Sequence, residues 1–73
     1  MSKSRSFYYI VDKLTADRAE VIRKGLNAIT GVDGVKVSVN RGMVEVTARK
    51  DLEAQVRIAC EVAGAVYRTR AQL

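Results

Sequence analysis

The groups that usually carry chemistry at neutral pH are scarce in this 73-residue sequence. It has no histidine, which removes the commonest acid–base side chain. Its one thiol is Cys60, four residues after Val56 on the apolar stripe of a segment with helical periodicity. A cysteine so placed acts as a small hydrophobe. A reactive or metal-binding thiol would need exposure and a lowered pKa. One thiolate without an imidazole cannot close a zinc or copper site within a single chain. A site shared by two Cys60 thiols across a dimer is the remaining metal option. The carboxylates are Asp12, Asp17, Glu20, Asp33, Glu45, Asp51, Glu53 and Glu61. Asp17 and Glu20, three apart on one helix, could share a face, but Arg18, Arg23 and Lys24 keep them ionised. No carboxylate pair sits in an apolar setting that would raise a pKa for acid catalysis. There is no GxGxxG and no phosphate loop. The expectation is a non-enzymatic chain with no catalytic residue and no cofactor.

One further stretch is placed to hold a ligand. DKLTADR, residues 12–18, lies between the apolar run FYYIV and the amphipathic run AEVIRKGLNAI. A strand-to-helix loop offers unpaired N–H groups and the positive end of a helix dipole. Its side chains suit capping: Thr15 as N-cap and Asp17 as negative charge in the first turn.

Length restricts the chain to one domain, residues 1–73, with a core over about 6–70 and a tail at 1–5. Hydrophobic content of 48% supports a core in a domain of marginal size. The net charge of +5 favours solubility and weak attraction to anions, without specifying a partner. A single cysteine excludes an internal disulfide and fits a reducing, cytoplasmic setting. The longest early apolar run, Phe7 to Val11, is too short for a signal core or a membrane span, so no membrane insertion is expected.

The elements that must position these residues follow from periodicity. FYYIV, aromatic and β-branched, predicts a buried strand. Ala19, Ile22, Leu26 and Ile29 recur at helical spacing from Ala16, with Gly31 as the stop. Val35, Val37 and Val39 alternate with polar residues, Asn40-Arg41-Gly42 supplies a hairpin turn, and Val44, Val46 and Ala48 alternate again. A second helix spans about Asp51 to Ala63, with Leu52, Val56, Ala59, Cys60 and Ala63 inward, Ile58 and Val62 on the flanks, and Gly64 after it. AVYRTR makes the last strand. The fold class is α+β: a ferredoxin-like βαββαβ sandwich, an antiparallel four-stranded sheet with two helices on one face.

From Tyr8 to Tyr67 the chain resembles the heavy-metal-associated domain family, which includes copper chaperones. The resemblance is carried by AEVIRKGLNAITGV, the valine-alternating strand, the hairpin with Gly42, and a helix closing in Ala63-Gly64. The family loop reads Gly-Met-Thr-Cys-x-x-Cys, two thiols that bind a soft ion such as Cu(I). Counted without gaps from Gly31, those positions are Asp12, Lys13, Leu14, Thr15, Ala16, Asp17 and Arg18. Thr15 and Arg18 stand where the thiols would be, and Leu14 is expected to plug the loop from beneath. The resemblance thus implies the fold, a degenerate metal loop, and docking onto a partner protein through the loop and first helix.

The strand order also resembles the RNA recognition motif, with Arg41-Gly42 opening the third strand, although Met43, Val44 and Glu45 fill the aromatic positions. On that reading Tyr9 stacks a base, with Arg68 or Lys36 near a phosphate. An amino-acid-binding domain of the ACT type shares the order too, but its ligand-approaching glycine is missing from the loop. With Tyr8 and Ile10 assigned to the helix side, Phe7, Tyr9, Val11 and Met43 are expected on the open sheet face. The expected function is a protein-interaction or accessory module without metal, acting on a protein partner or by self-association. RNA binding, or weak metal binding through Cys60, stands as the alternative. The expected interaction surface is Lys13, Tyr9, Phe7, Met43, Arg41 and Arg68.

Overall fold

The computed structural model describes residues 3–71, in the order β1 (Arg5–Asp12), α1 (Ala16–Asn27), β2 (Val32–Ser38), β3 (Met43–Ala48), α2 (Glu53–Ala63) and β4 (Val66–Ala71). The strands form one antiparallel sheet in the order β2-β3-β1-β4. Both helices cover one face of it, as the βαββαβ reading requires. β1 begins at Arg5, inside the segment expected to be a tail, and Ser4 already hydrogen-bonds Asp33. Met1 and Ser2 of that expected tail lie outside the described residues.

The core is a single cluster between sheet and helices. Tyr9, Val11, Val44, Val46 and Ala48 supply the sheet side, and Ile22, Leu26, Leu52, Val56 and Cys60 the helix side. Cys60 is fully buried, and burial alone pushes its thiol up to about 11. At neutral pH it is a protonated, apolar filler.

One expectation about β1 is reversed. Tyr9 and Val11 are buried and Phe7 packs on the core, so all three face the helices, while Tyr8 and Ile10 take the open face. The cause is the register with β3, which pairs Phe7 with Val46 and Tyr9 with Val44. Directly opposed residues of antiparallel strands share a face, and a slip of one residue exchanges every side chain. FYYIV is apolar throughout, so no alternation in it could select the face.

The helix ends follow local chemistry. Thr15 Oγ1 accepts the Arg18 N–H at 3.2 Å and caps α1. α1 stops at Asn27, two residues before Ile29, but tight turns keep Ile29 against the core. α2 starts at Glu53 rather than Asp51, with buried Leu52 as its N-cap. Gly64 ends α2 in the left-handed region (φ 87°), and the Ala65 N–H reaches back to the Cys60 carbonyl at 2.9 Å. Gly42 closes the β2–β3 turn at φ 63°, and a Cβ there would stand 2.9 Å from the Val11 carbonyl oxygen.

Candidate functional site

The β1–α1 loop sits at the end of the molecule where β1 and the β2–β3 turn finish and β4 starts. The Val11 N–H donates to the Gly42 carbonyl at 2.8 Å, which ties the turn to the root of the loop. Arg68 pairs with Asp12 at 2.9 Å, which ties β4 to the same point. Between Ile10 and Val11 the β1–β4 register shifts from Thr69 to Tyr67, so Arg68 is the extra residue of a bulge. Lys13, Arg18, Arg41 and Arg68 therefore belong to one end of the fold, with Asp12 and Asp17 among them.

Within the loop, Lys13 holds φ at 60°, a conformation non-glycine residues rarely adopt. Its carbonyl accepts a hydrogen bond from the Arg18 guanidinium at 2.9 Å. The same side chain lies along the end of α2: a Cβ built at Gly64 would be 3.5 Å from Arg18 Nε. Arg18 thus spans the loop and rests at the negative end of the α2 dipole, a favourable place for a cation. Leu14 is half-buried against the core beneath. The two positions expected to replace a thiol pair are engaged in bonding the loop to itself.

This donor set does not suit a soft cation. Thr15 Oγ1 is occupied as a cap, Arg18 adds positive charge, and Cys60 is buried in the core between the layers. Among the described residues no group of three or more His, Cys, Asp or Glu comes together as a metal cage.

The remaining surface residues separate. Met43 lies opposite Ile10 on the open face, where Tyr8, Lys36, Ser38, Arg41 and Glu45 border a shallow depression with it. Tyr9 and Phe7 do not join that surface, for the register reason above. Tyr9 has no exposed ring with which to stack a base, so the base-stacking role assigned to it is corrected. Its neighbour Tyr8 is the open-face aromatic of β1, directly opposite Glu45.

Tyr9 instead anchors a network that the sequence reading missed. Its hydroxyl donates to Asp51 Oδ1 at 2.7 Å and accepts the Leu52 N–H at 3.2 Å. Arg70 pairs with the other Asp51 oxygen, and Tyr67 donates to Glu53. Arg57 lies over the Tyr67 ring at 5.4 Å, and Tyr67 meets Tyr9 at a centroid distance of 6.2 Å. Burial tends to raise the Asp51 carboxyl, but the Tyr9 hydroxyl and Arg70 guanidinium overcome it and hold it below the usual carboxylate range. Burial first, and Asp51 second, raise the Tyr9 hydroxyl. The arrangement binds β1, β4 and the start of α2 into one unit. Its only trace in the sequence was polar groups on either side of apolar runs.

No protein-family model matches this sequence, and no curated protein matches it. Solved structures do match. The N-terminal domain of ZntA in its apo form is 26% identical with a TM-score of 0.79, covering 94% of this chain and 94% of that one. The copper form of the S46V variant of CopA from Bacillus subtilis is 24% identical with a TM-score of 0.73, and 93% of each chain is covered. The Cu(I)-loaded first domain of the human copper chaperone CCS is 23% identical with a TM-score of 0.69, covering 93% of this chain and 97% of that one. No helix among the described residues is long and apolar enough to cross a membrane. The chain has the copper-chaperone-like fold of heavy-metal-associated domains.

Proposed function

We propose that this chain is a non-enzymatic, cytoplasmic interaction module of copper-chaperone type that carries no soft-metal cargo. The observation that supports this most is Arg18. Its guanidinium is bonded to the Lys13 carbonyl and lies against the end of α2, and counted without gaps from Gly31 it falls at the second thiol position of the family loop. A cation at that loop position disfavours a second one, and Cys60, the one thiol, is buried in the core. The fold's other capacity, contact with a second protein, needs no thiol. Lys13, Arg18, Arg41 and Arg68 around the loop favour an acidic partner surface there.

Competition titration with Cu(I) under reducing conditions tests the reading. The wild type and Cys60→Ala should both fail to bind stoichiometrically at roughly micromolar affinity. The double substitution Thr15→Cys, Arg18→Cys should create one tight Cu(I) site, because it places two thiols three residues apart at the positive end of the α1 dipole. Submicromolar binding by the wild type that disappears in Cys60→Ala would overturn the proposal.

A further inference from the structure

The end of the sheet opposite the β1–α1 loop holds a cavity of about 280 Å³. The α1–β2 turn lines one side with Thr30 and Gly31, and Asp33 of β2 continues it. Arg49 and Lys50, in the β3–α2 loop, line the other. Ala48 is 1% exposed and Leu52 5%, so the floor between these walls is apolar. A Cβ built at Gly31 would meet nothing within 4 Å, which leaves that rim bare.

Charge is divided unevenly around the cavity. Arg23, Arg68 and Arg70 each pair with a carboxylate, whereas Arg49 and Lys50 make no ion pair among the described residues. Arg5, directly opposite Ala48 in the sheet register, is a further cation without one at this end. Asp33 is the one carboxylate in the lining, and it accepts a hydrogen bond from Ser4. Asp51, next in the chain to Lys50, is engaged by Tyr9 and Arg70. The cavity therefore joins an apolar floor to a wall with positive charge to spare.

We infer that this cavity binds a small organic phosphate, with the phosphate between Arg49 and Lys50 and the organic part on Ala48 and Leu52. A guanidinium presents a planar fork that matches two phosphate oxygens, and the neighbouring ammonium adds a point charge. The two cations balance a phosphate dianion, whereas a carboxylate would leave one of them unpaired. The floor distinguishes an organic phosphate from the free ion, because only a ring or short chain removes that apolar surface from water. The volume is at the lower end of the range for ligand pockets, which limits the organic part to about one ring. The site lies at the far end of β1 from Thr15 and Arg18, so it does not depend on the reading of the loop.

Titration of isotope-labelled protein with phenyl phosphate in phosphate-free buffer, followed by amide NMR, tests the inference. Shifts should be confined to the α1–β2 turn, the start of β2 and Ala48 to Leu52. They should saturate with a dissociation constant of about a millimolar or tighter. Inorganic phosphate and phenol, the two halves of the probe, should each bind about tenfold more weakly or worse. Arg49→Gln and Lys50→Gln should each weaken phenyl phosphate binding by about fivefold or more, with the fold unchanged because both side chains are exposed. Asp33→Asn should tighten it by about twofold or more, because it removes the opposing charge. The absence of a saturable shift up to about ten millimolar overturns the inference. So do shifts spread across the whole basic surface, an affinity indifferent to Arg49, Lys50 and Asp33, or inorganic phosphate that binds as tightly as phenyl phosphate.

Discussion

The two strand-to-helix loops occupy equivalent places in the two halves of this fold, yet different forces hold them. The β1–α1 loop is closed chiefly by its neighbours: Thr15 caps a residue three positions on, and Arg18 bonds a carbonyl five positions back, with the exposed Asp12–Arg68 pair as its side-chain tie to β4. The β3–α2 loop is held by distant residues. Asp51 meets Tyr9, 42 positions away, and Arg70, 19 positions away. Inside the first loop the side-chain bonds are local and its long-range ties lie at its root, through Asp12 to Arg68, whereas the second loop is a tertiary junction at the edge of the core. A loop closed locally can be altered with little effect on the rest of the molecule. That is where a binding function can be lost, or gained, at small cost in stability.

Substitutions can break this contrast, and the largest effect belongs to the tertiary junction. Tyr9→Ala should cost about 3–5 kcal/mol in urea unfolding, because it empties a buried aromatic site and strands two polar partners. Tyr9→Phe keeps the ring and should cost about 1–2 kcal/mol, the value of the hydroxyl's bonds to Asp51 and Leu52. If Tyr9→Phe equals Tyr9→Ala, packing is not what the ring supplies.

Asp51→Asn comes next, at about 1–2 kcal/mol at neutral pH. The sign with pH follows from its lowered pKa. The carboxylate's contribution is complete above the ordinary value of 3.8 and is lost as pH falls through the lower folded value. Wild-type stability should therefore decline below about pH 4. Asp51→Asn should flatten that decline when unfolding midpoints are compared across pH. An unchanged acid profile would show that the junction does not depend on this charge.

The smallest effect should come from the local loop. Thr15→Ala removes one cap and should cost about 1 kcal/mol, with amide exchange quickened in the first turn of α1 and unchanged in β4. A loss as large as that of Tyr9→Ala, or exchange quickened across the sheet, would mean the two loops are not held differently.

The same division explains what was legible in the sequence. Thr15, Gly31, Gly42 and Gly64 announced their turns because capping and left-handed backbone depend on the residue and its neighbours. Alternation identified Val35 and Val37 in β2 and Val44, Val46 and Ala48 in β3 for the same reason, but it ran on to Val39, which lies past the end of β2 and is exposed. The β1 face was misassigned because five apolar residues in a row carry no period, and only pairing with Val44 and Val46 selects Tyr9 and Val11. Residues chosen there for an interaction surface, Tyr9 and Phe7, went inward with that choice. Arg18 was legible as the residue at a lost thiol position, but not as the side chain that bridges the loop to α2.

The sequence by itself determined the order βαββαβ, the Thr15 and Gly64 helix caps, the absence of histidine and of a second thiol, and hence the poverty of soft-metal ligands. These depend on residue type and on spacings shorter than one element. The tertiary structure alone decided which face of β1 is buried, which charges meet at the loop end, and that Thr30, Asp33, Arg49 and Lys50 line one cavity. Each of those depends on the relative placement of elements distant in sequence, and register and helix packing set that placement through the whole core at once.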